Sequence, residues 1–289
     1  MSTLIVKTKN TYPNLMKELI RLKAWDEEIE RKRKTWGWMV ALSVICAILA
    51  IIGVAKLSSD SVNQAVYIFP SLFAISFVVS LVIYLRQVSK DLDNRKLETA
   101  MSVVARIGED IPPESQCAIT IDFKEYRKGG SLVSKSGSWL TGHEFLYVHP
   151  WLNFSGKLYD GNKFDVLVET YVKRKEKRKR KYTKVKEAFS EKATLTVRLN
   201  PEIYPDPAQV AGNISTGITP YGFEIKRAIG TDKALKVTLE TGSSVIVHAR
   251  GSMSGTLDKL LNGDRLLGLF IQTYAGIAKA RPEGAVPAQ

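Results

Sequence analysis

Residues 36–55 read WGWMVALSVICAILAIIGVA and residues 65–85 read AVYIFPSLFAISFVVSLVIYL, two runs without a charged side chain. About 20 apolar residues, each rising 1.5 Å along a helix, span a hydrocarbon core about 30 Å thick. In lipid a backbone must satisfy its own hydrogen bonds, so each run is predicted to be a helix. Pro70 falls in the first turns of the second run, where its missing N–H costs least. Trp36, Trp38, Tyr67 and Tyr84 stand near the run ends, where aromatic side chains anchor helices at a membrane interface. The first run starts behind a long charged segment and a second follows closely, which is not the pattern of a cleaved signal peptide.

The flanks orient the pair. Arg31, Lys32, Arg33 and Lys34 precede the first run, and Arg86, Lys90, Arg95 and Lys96 follow the second. The nine-residue connection Lys56–Gln64 holds one Lys and one Asp. Positive charge stays inside, so both termini are expected in the cytoplasm, most naturally at a bacterial inner membrane. Apolar spacing extends the helices beyond the bilayer. Leu15, Leu19, Leu22 and Ile29 recur upstream, and Val88, Leu92, Leu97, Met101, Val104 and Ile107 recur downstream until Gly108 and Pro112-Pro113. Helices over about 14–55 and 65–107 would form an antiparallel stalk, with Arg86, Lys90 and Lys96 facing Asp26, Glu27, Glu28 and Glu30.

From Ser115 the period changes to alternation. Ala118–Phe123, Trp139–Val148, Trp151–Leu158, Lys163–Val168, Ala193–Leu199, Leu235–Leu239 and Val245–His248 read as strands, with a tight turn at Asp160-Gly161-Asn162 and another at Thr241–Ser244. A helix capped by Asp264 would close the domain, and the tail Arg281–Gln289 reads as disordered. The expected organisation is an N-terminal cytoplasmic helix (1–35), a transmembrane hairpin (36–85), a stalk helix and linker (86–113), a β-rich domain (114–280) and a tail (281–289). The fold class is α+β. The β domain, with about seven strands, is expected to be a mostly antiparallel sandwich or small barrel with a C-terminal helix.

The chain carries a formal charge of +13, which favours anionic partners. Much of it is concentrated in 173–186, KRKEKRKRKYTKVK, where ten of fourteen residues are basic. Lys173, Arg174, Lys175, Lys177, Arg178, Lys179, Arg180, Lys181, Lys184 and Lys186 are therefore the candidate anion-binding residues. They should lie on a hairpin loop or on solvated strand tips, where like charges resist order without a partner. Anionic lipid head groups, an acidic protein surface, nucleic acid or a small anionic ligand would neutralise them. A solvated loop that protects strand edges would need no partner.

Catalytic and metal motifs are lacking. His143, His149 and His248 lie on or beside strands, Cys46 and Cys117 have no ligand spacing, and no HExxH, CxxC, P-loop or nucleophile elbow occurs. The expectation is a chain without catalytic residues, metal or cofactor: a membrane-anchored scaffold or binding module, oligomeric within a larger assembly. A basic β domain joined to two membrane helices also resembles the architecture of membrane effectors in bacterial antiphage defence. That resemblance implies a nucleotide sensor that triggers membrane disruption. A membrane tether for nucleic acid is the third reading.

Overall fold

The computed structural model describes residues 5–57, 65–138, 142–201, 204, 206–214, 216–218, 223–231, 234–249 and 252–279. The expected tail at 281–289, much of the connection at 56–64 and the start of the Trp139–Val148 strand fall outside them. The chain folds as two units. Of the described residues, those from 20 to 92 form one, and those up to Leu19 together with those from Asp93 form the other.

The helical unit contains most of α1 (Tyr12–Leu57) and all of α2 (Ala65–Val88). Pro13 sits in the first turn of α1, where its lack of an N–H is harmless. The helices pack antiparallel. The Tyr84 ring approaches within 3.5 Å of where a side chain on Gly37 would begin, and Arg33 pairs with Asp91. Ser43 and Ser80 are buried, whereas Leu42, Ile45, Leu49, Ile52, Leu72, Ile75 and Val79 are exposed. Both helices are long and apolar enough to cross a membrane, and almost none of their most apolar stretch is buried inside the protein. A core helix of a soluble domain would hide that stretch.

The expected second helix to residue 107 is broken. α2 ends at Val88 and α3 (Asn94–Gly108) starts afresh. Polar side chains hold the break open. The Asp26 carboxylate accepts the Leu92 N–H at 3.0 Å, and Asp93 caps α3 by accepting from the Lys96 N–H. The expected charge facing is accordingly replaced. Asp91 pairs with Arg33, and Glu28 pairs along its own helix with Lys32. Lys96 is buried in the other unit, its ammonium donating to the carbonyls of Asp122 and Lys124.

The second unit is built on an antiparallel sheet. Its strands are β1 (Ile5–Thr11), β2 (Gln116–Asp122), β3 (Ser131–Ser138), β4 (Gly142–Lys157), β5 (Lys163–Arg178) and β6 (Thr183–Arg198). They continue with β7 (Gly217–Ile218), β8 (Glu224–Thr231), β9 (Ala234–Glu240), β10 (Ser244–Ala249) and β11 (Ser252–Ser254). Short helices α4 (Tyr126–Gly129) and α5 (Pro207–Gly212) and the longer α6 (Gly263–Lys279) complete it. The strand order is β1-β2-β4-β5-β6-β9-β8-β7, with β3 on β4, β10 on β6 and β11 on β10. Among the described residues β1 and β7 do not pair, so the sheet is open. It is neither the expected sandwich nor a barrel. Alternation requires one buried face, and here helices cover that face rather than a second sheet.

The covered face carries Ile119, Ile121, Leu152, Phe154, Val166, Val168, Leu195, Val197, Val237 and Leu239, all essentially inaccessible. α3 presents Leu97, Val103, Val104 and Ile107 to it, and α6 presents Leu266, Leu269, Phe270 and Ile277. The Phe270 ring meets Phe164 edge-on at 5.7 Å. Asn262, not Asp264, caps α6 by accepting the Arg265 N–H at 3.0 Å.

β1 lies where only helix was expected and pairs with β2 from Ile5↔Asp122 to Thr11↔Gln116. The expected turn between β4 and β5 is present, with Gly161 at φ +83°, a left-handed position that favours glycine. The turn at Thr241–Ser244 is not a hairpin. β9 and β10 both run antiparallel to β6, at Lys192↔Glu240 and Phe189↔Ser244, so they form one line interrupted by a bulge opposite Ser190 and Glu191.

Candidate anion-binding surface

β4, β5 and β6 have sixteen residues each and extend beyond the helix-covered core. At about 3.4 Å per residue each is about 54 Å long. Their far halves pair in the order β3-β4-β5-β6-β10-β11. The basic segment is thus strand to Arg178 and again from Thr183, with only the turn 179–182 between. It is ordered by pairing, despite its like charges.

Alternation sorts its residues onto two faces. Phe164, Val166, Val168, Thr170 and Val172 point to the helix side, so Arg174, Glu176 and Arg178 follow on that side. Lys173, Lys175 and Lys177 point to the other, open side. On β6 the register places Lys184 and Lys186 there too, because Lys177 faces Lys184 and Lys175 faces Lys186. Lys179, Arg180 and Lys181 occupy the turn. α3, α4, α5 and α6 all meet the helix side, through Arg95–Glu191, Tyr126–Glu187, Pro207 against Gly230, and Phe270–Phe164. None of these four helices lies on the open side.

The helix side balances its own charge. Glu187 is buried and accepts from the Tyr126 hydroxyl at 2.5 Å, Arg127 at 2.7 Å and Arg174 at 3.1 Å. His248 Nε2 stands 3.7 Å away, and Arg174 also pairs with Glu176. Burial and then Glu187 push the Tyr126 hydroxyl well above its ordinary pKa. The open side is balanced only in part. Glu144 pairs with Lys173 at 2.5 Å and Lys175 at 2.8 Å, and these two lysines hold its carboxyl below the usual range. Among the described residues no carboxylate pairs with Lys177, Lys184 or Lys186.

Below the bulge a second buried carboxylate ties the unit together. Glu191 accepts a two-pronged pair from Arg95 at 2.9 and 3.0 Å, the Thr170 hydroxyl at 2.9 Å and the Leu261 N–H at 2.7 Å. Beside it lie Lys96, His149 and Trp151, with Arg95 and Lys96 over the indole at 5.7 and 5.9 Å. His149 Nε2 stands 3.4 Å from Asp122, but burial and the Lys96 charge hold its pKa below the ordinary value. Gly129 is required there, since a Cβ would come within 2.7 Å of that nitrogen. Glu187 and Glu191 were not among the candidate residues. The alternation of Ala193, Leu195 and Val197, extended four and then eight residues back from Leu195, already places both on the inward face.

Of the expected interface anchors, Trp38 is exposed, and Trp36 and Tyr84 are half-buried. Tyr67 lies in α2 within a stretch whose side chains are outside the described residues. Three carboxylates of the helical unit, Asp26, Glu30 and Asp91, lie within 4.8 Å of one another, with Arg33 paired to Asp91. Two of the concavities of the sheet unit lie near the β4–β5 turn. One, of about 670 Å³, lies between the end of α3, the β4–β5 turn and α6, and is lined by Ile107, Leu158, Phe270, Ile271, Asp110 and Asp160. The other, of about 560 Å³, opens near the β4–β5 turn among Lys9, Lys157, Lys163, Asp165 and Arg198. No known family, curated protein or solved structure matches the chain.

Proposed function

We propose that this chain is a non-enzymatic, membrane-anchored binding module. α1 and α2 fix it in the bacterial inner membrane with both termini in the cytoplasm, and the open side of its sheet docks on an anionic partner. It acts as an oligomeric subunit of a larger membrane assembly. The observation that carries this reading is the lysine ladder, in which Lys175 faces Lys186 and Lys177 faces Lys184 on an uncovered face. Like charges directly opposite each other destabilise a sheet. A face that keeps them while the other face neutralises its own charges is suited to counter-charge from outside. The test is retention of the full-length protein, in mild detergent, on immobilised heparin. The wild type should be held until salt screens it. A variant with Lys173, Lys175, Lys177, Lys184 and Lys186 changed to Gln should elute much earlier. Equal elution would overturn the reading, and crosslinking in native membranes that yields only monomer would remove the assembly.

A further inference from the structure

We infer that the open side of the outer sheet docks through Lys173, Lys175, Lys177, Lys184 and Lys186 on a bilayer leaflet carrying anionic phospholipid. This rests on the proposed docking of that face on an anion, and narrows the partner by shape and chemistry. The outer sheet is six strands wide, β3-β4-β5-β6-β10-β11. Five spacings of about 4.8 Å make it about 24 Å across. The major groove of a nucleic-acid duplex, about 12 Å wide, admits a helix or a two-stranded ribbon. The basic hairpin is no free ribbon. β4 flanks it as far as His143↔Glu176, and β10 flanks it as far as His248↔Val185.

Single-stranded nucleic acid asks for aromatic platforms. Phe145, Tyr147 and Phe189 lie on the helix side, and Tyr126 packs edge-on against Tyr147 and Phe189 at 5.2 and 5.8 Å. On the open side of the outer sheet Tyr171 is the aromatic residue that the β4–β6 strands present. A protein interface concentrates its strength in aromatic and Arg anchors and is depleted in Lys. Here all five ladder cations are Lys, and the strand arginines Arg174 and Arg178 are turned the other way. An ammonium on a flexible stem is a point charge without fixed geometry. It suits a fluid plane of phosphates better than one shaped partner. A chain with two helices apolar enough to span a membrane also keeps a bilayer permanently at high effective concentration.

The experiment uses the full chain, labelled with an environment-sensitive fluorophore at Tyr182→Cys in a Cys46→Ser, Cys117→Ser background. It is reconstituted in vesicles of phosphatidylcholine alone or with phosphatidylglycerol in both leaflets. Phosphatidylglycerol should raise the emission severalfold at about 0.1 M salt, and the rise should vanish near 1 M, where the screening length falls to about 3 Å. The comparison of lipids needs no lysine variant, so a folding defect cannot mimic its result. Equal emission in both vesicles, while heparin retention still depends on the five lysines, would overturn leaflet docking and direct attention to an acidic protein or nucleic acid. If heparin retention is also indifferent to the lysines, the wider reading falls with it.

Discussion

At Glu191 a buried carboxylate gathers Arg95, Thr170 and Leu261 from three separate parts of the chain. Removing one partner of a buried, fully hydrogen-bonded ion pair leaves the other charge stranded, at a cost of about 3–5 kcal/mol. Glu191→Ala should lower the unfolding free energy of the full chain by that order in urea titrations in detergent. A loss below about 1 kcal/mol, the value of an exposed pair, would show that the clamp is not intact in solution. His149 adds a pH dependence. Its folded pKa lies below the ordinary value because burial, then Lys96, disfavour the imidazolium, against the weaker pull of Asp122. The unfolded chain therefore binds more protons just below pH ~6.5, and stability rises with pH in that window. Melting temperature should fall as pH drops from about 7.5 through 6.5, and less steeply for His149→Gln than for the wild type. Parallel slopes would mean that His149 does not titrate across unfolding.

At the scale of elements, the outer hairpin trades stability for charge. Replacing Lys186 by Glu puts opposite charges across from each other, and such pairs contribute roughly 0.2–1 kcal/mol. Lys186→Glu is expected to stabilise the sheet slightly while weakening heparin retention. A variant that loses both would point to a structural role for the ammonium. The same strands show what the sequence could convey. Alternation located β2, β5, β6, β9 and β10, because a sheet with one covered face imposes that period whatever covers it. For the same reason it could not distinguish a covering sheet from covering helices. In the sequence α3 reads as a stalk because its apolar stripe continues from α2. The break depends on Asp26, sixty-six residues away from Leu92, and no local pattern reports that contact. β1 was hidden by its composition, since IVKTKNT has three polar outward positions and lies next to a helix start. β9 and β10 looked like a hairpin because Thr-Gly-Ser-Ser suits a turn, yet β6 is long enough to pair with both in line. The basic site was legible as charge. Its division into a balanced and an unbalanced face required the register.

At the scale of the whole molecule, the proposed membrane anchoring rests on the exposed apolar helices. Leu42, Ile45, Leu49, Ile52, Leu72, Ile75, Val78 and Val82 are each about half exposed. Apolar surface on this scale is costly in water, at about 25 cal/mol per Å². Hydrocarbon would remove that cost, because a helix satisfies most of its backbone hydrogen bonds internally. The proposed orientation rests on Arg31, Lys32, Arg33 and Lys34 before the apolar stretch of α1 and Arg86 at the end of α2. Cations placed within a few turns of a span resist translocation. Alkaline carbonate should leave the protein in the membrane pellet. A periplasm-dependent phosphatase fused after Gln289 should be silent, whereas a fluorescent protein that folds only in the cytoplasm should report there. Changing Arg31–Lys34 to Gln removes four of the retaining charges and should expose a fraction of the C-terminal domain to external protease. Carbonate extraction into the supernatant would show that the apolar faces are covered by protein rather than lipid. An active phosphatase fusion in the unaltered chain would place the lysine face outside the cell's inner leaflet and remove the leaflet from its reach.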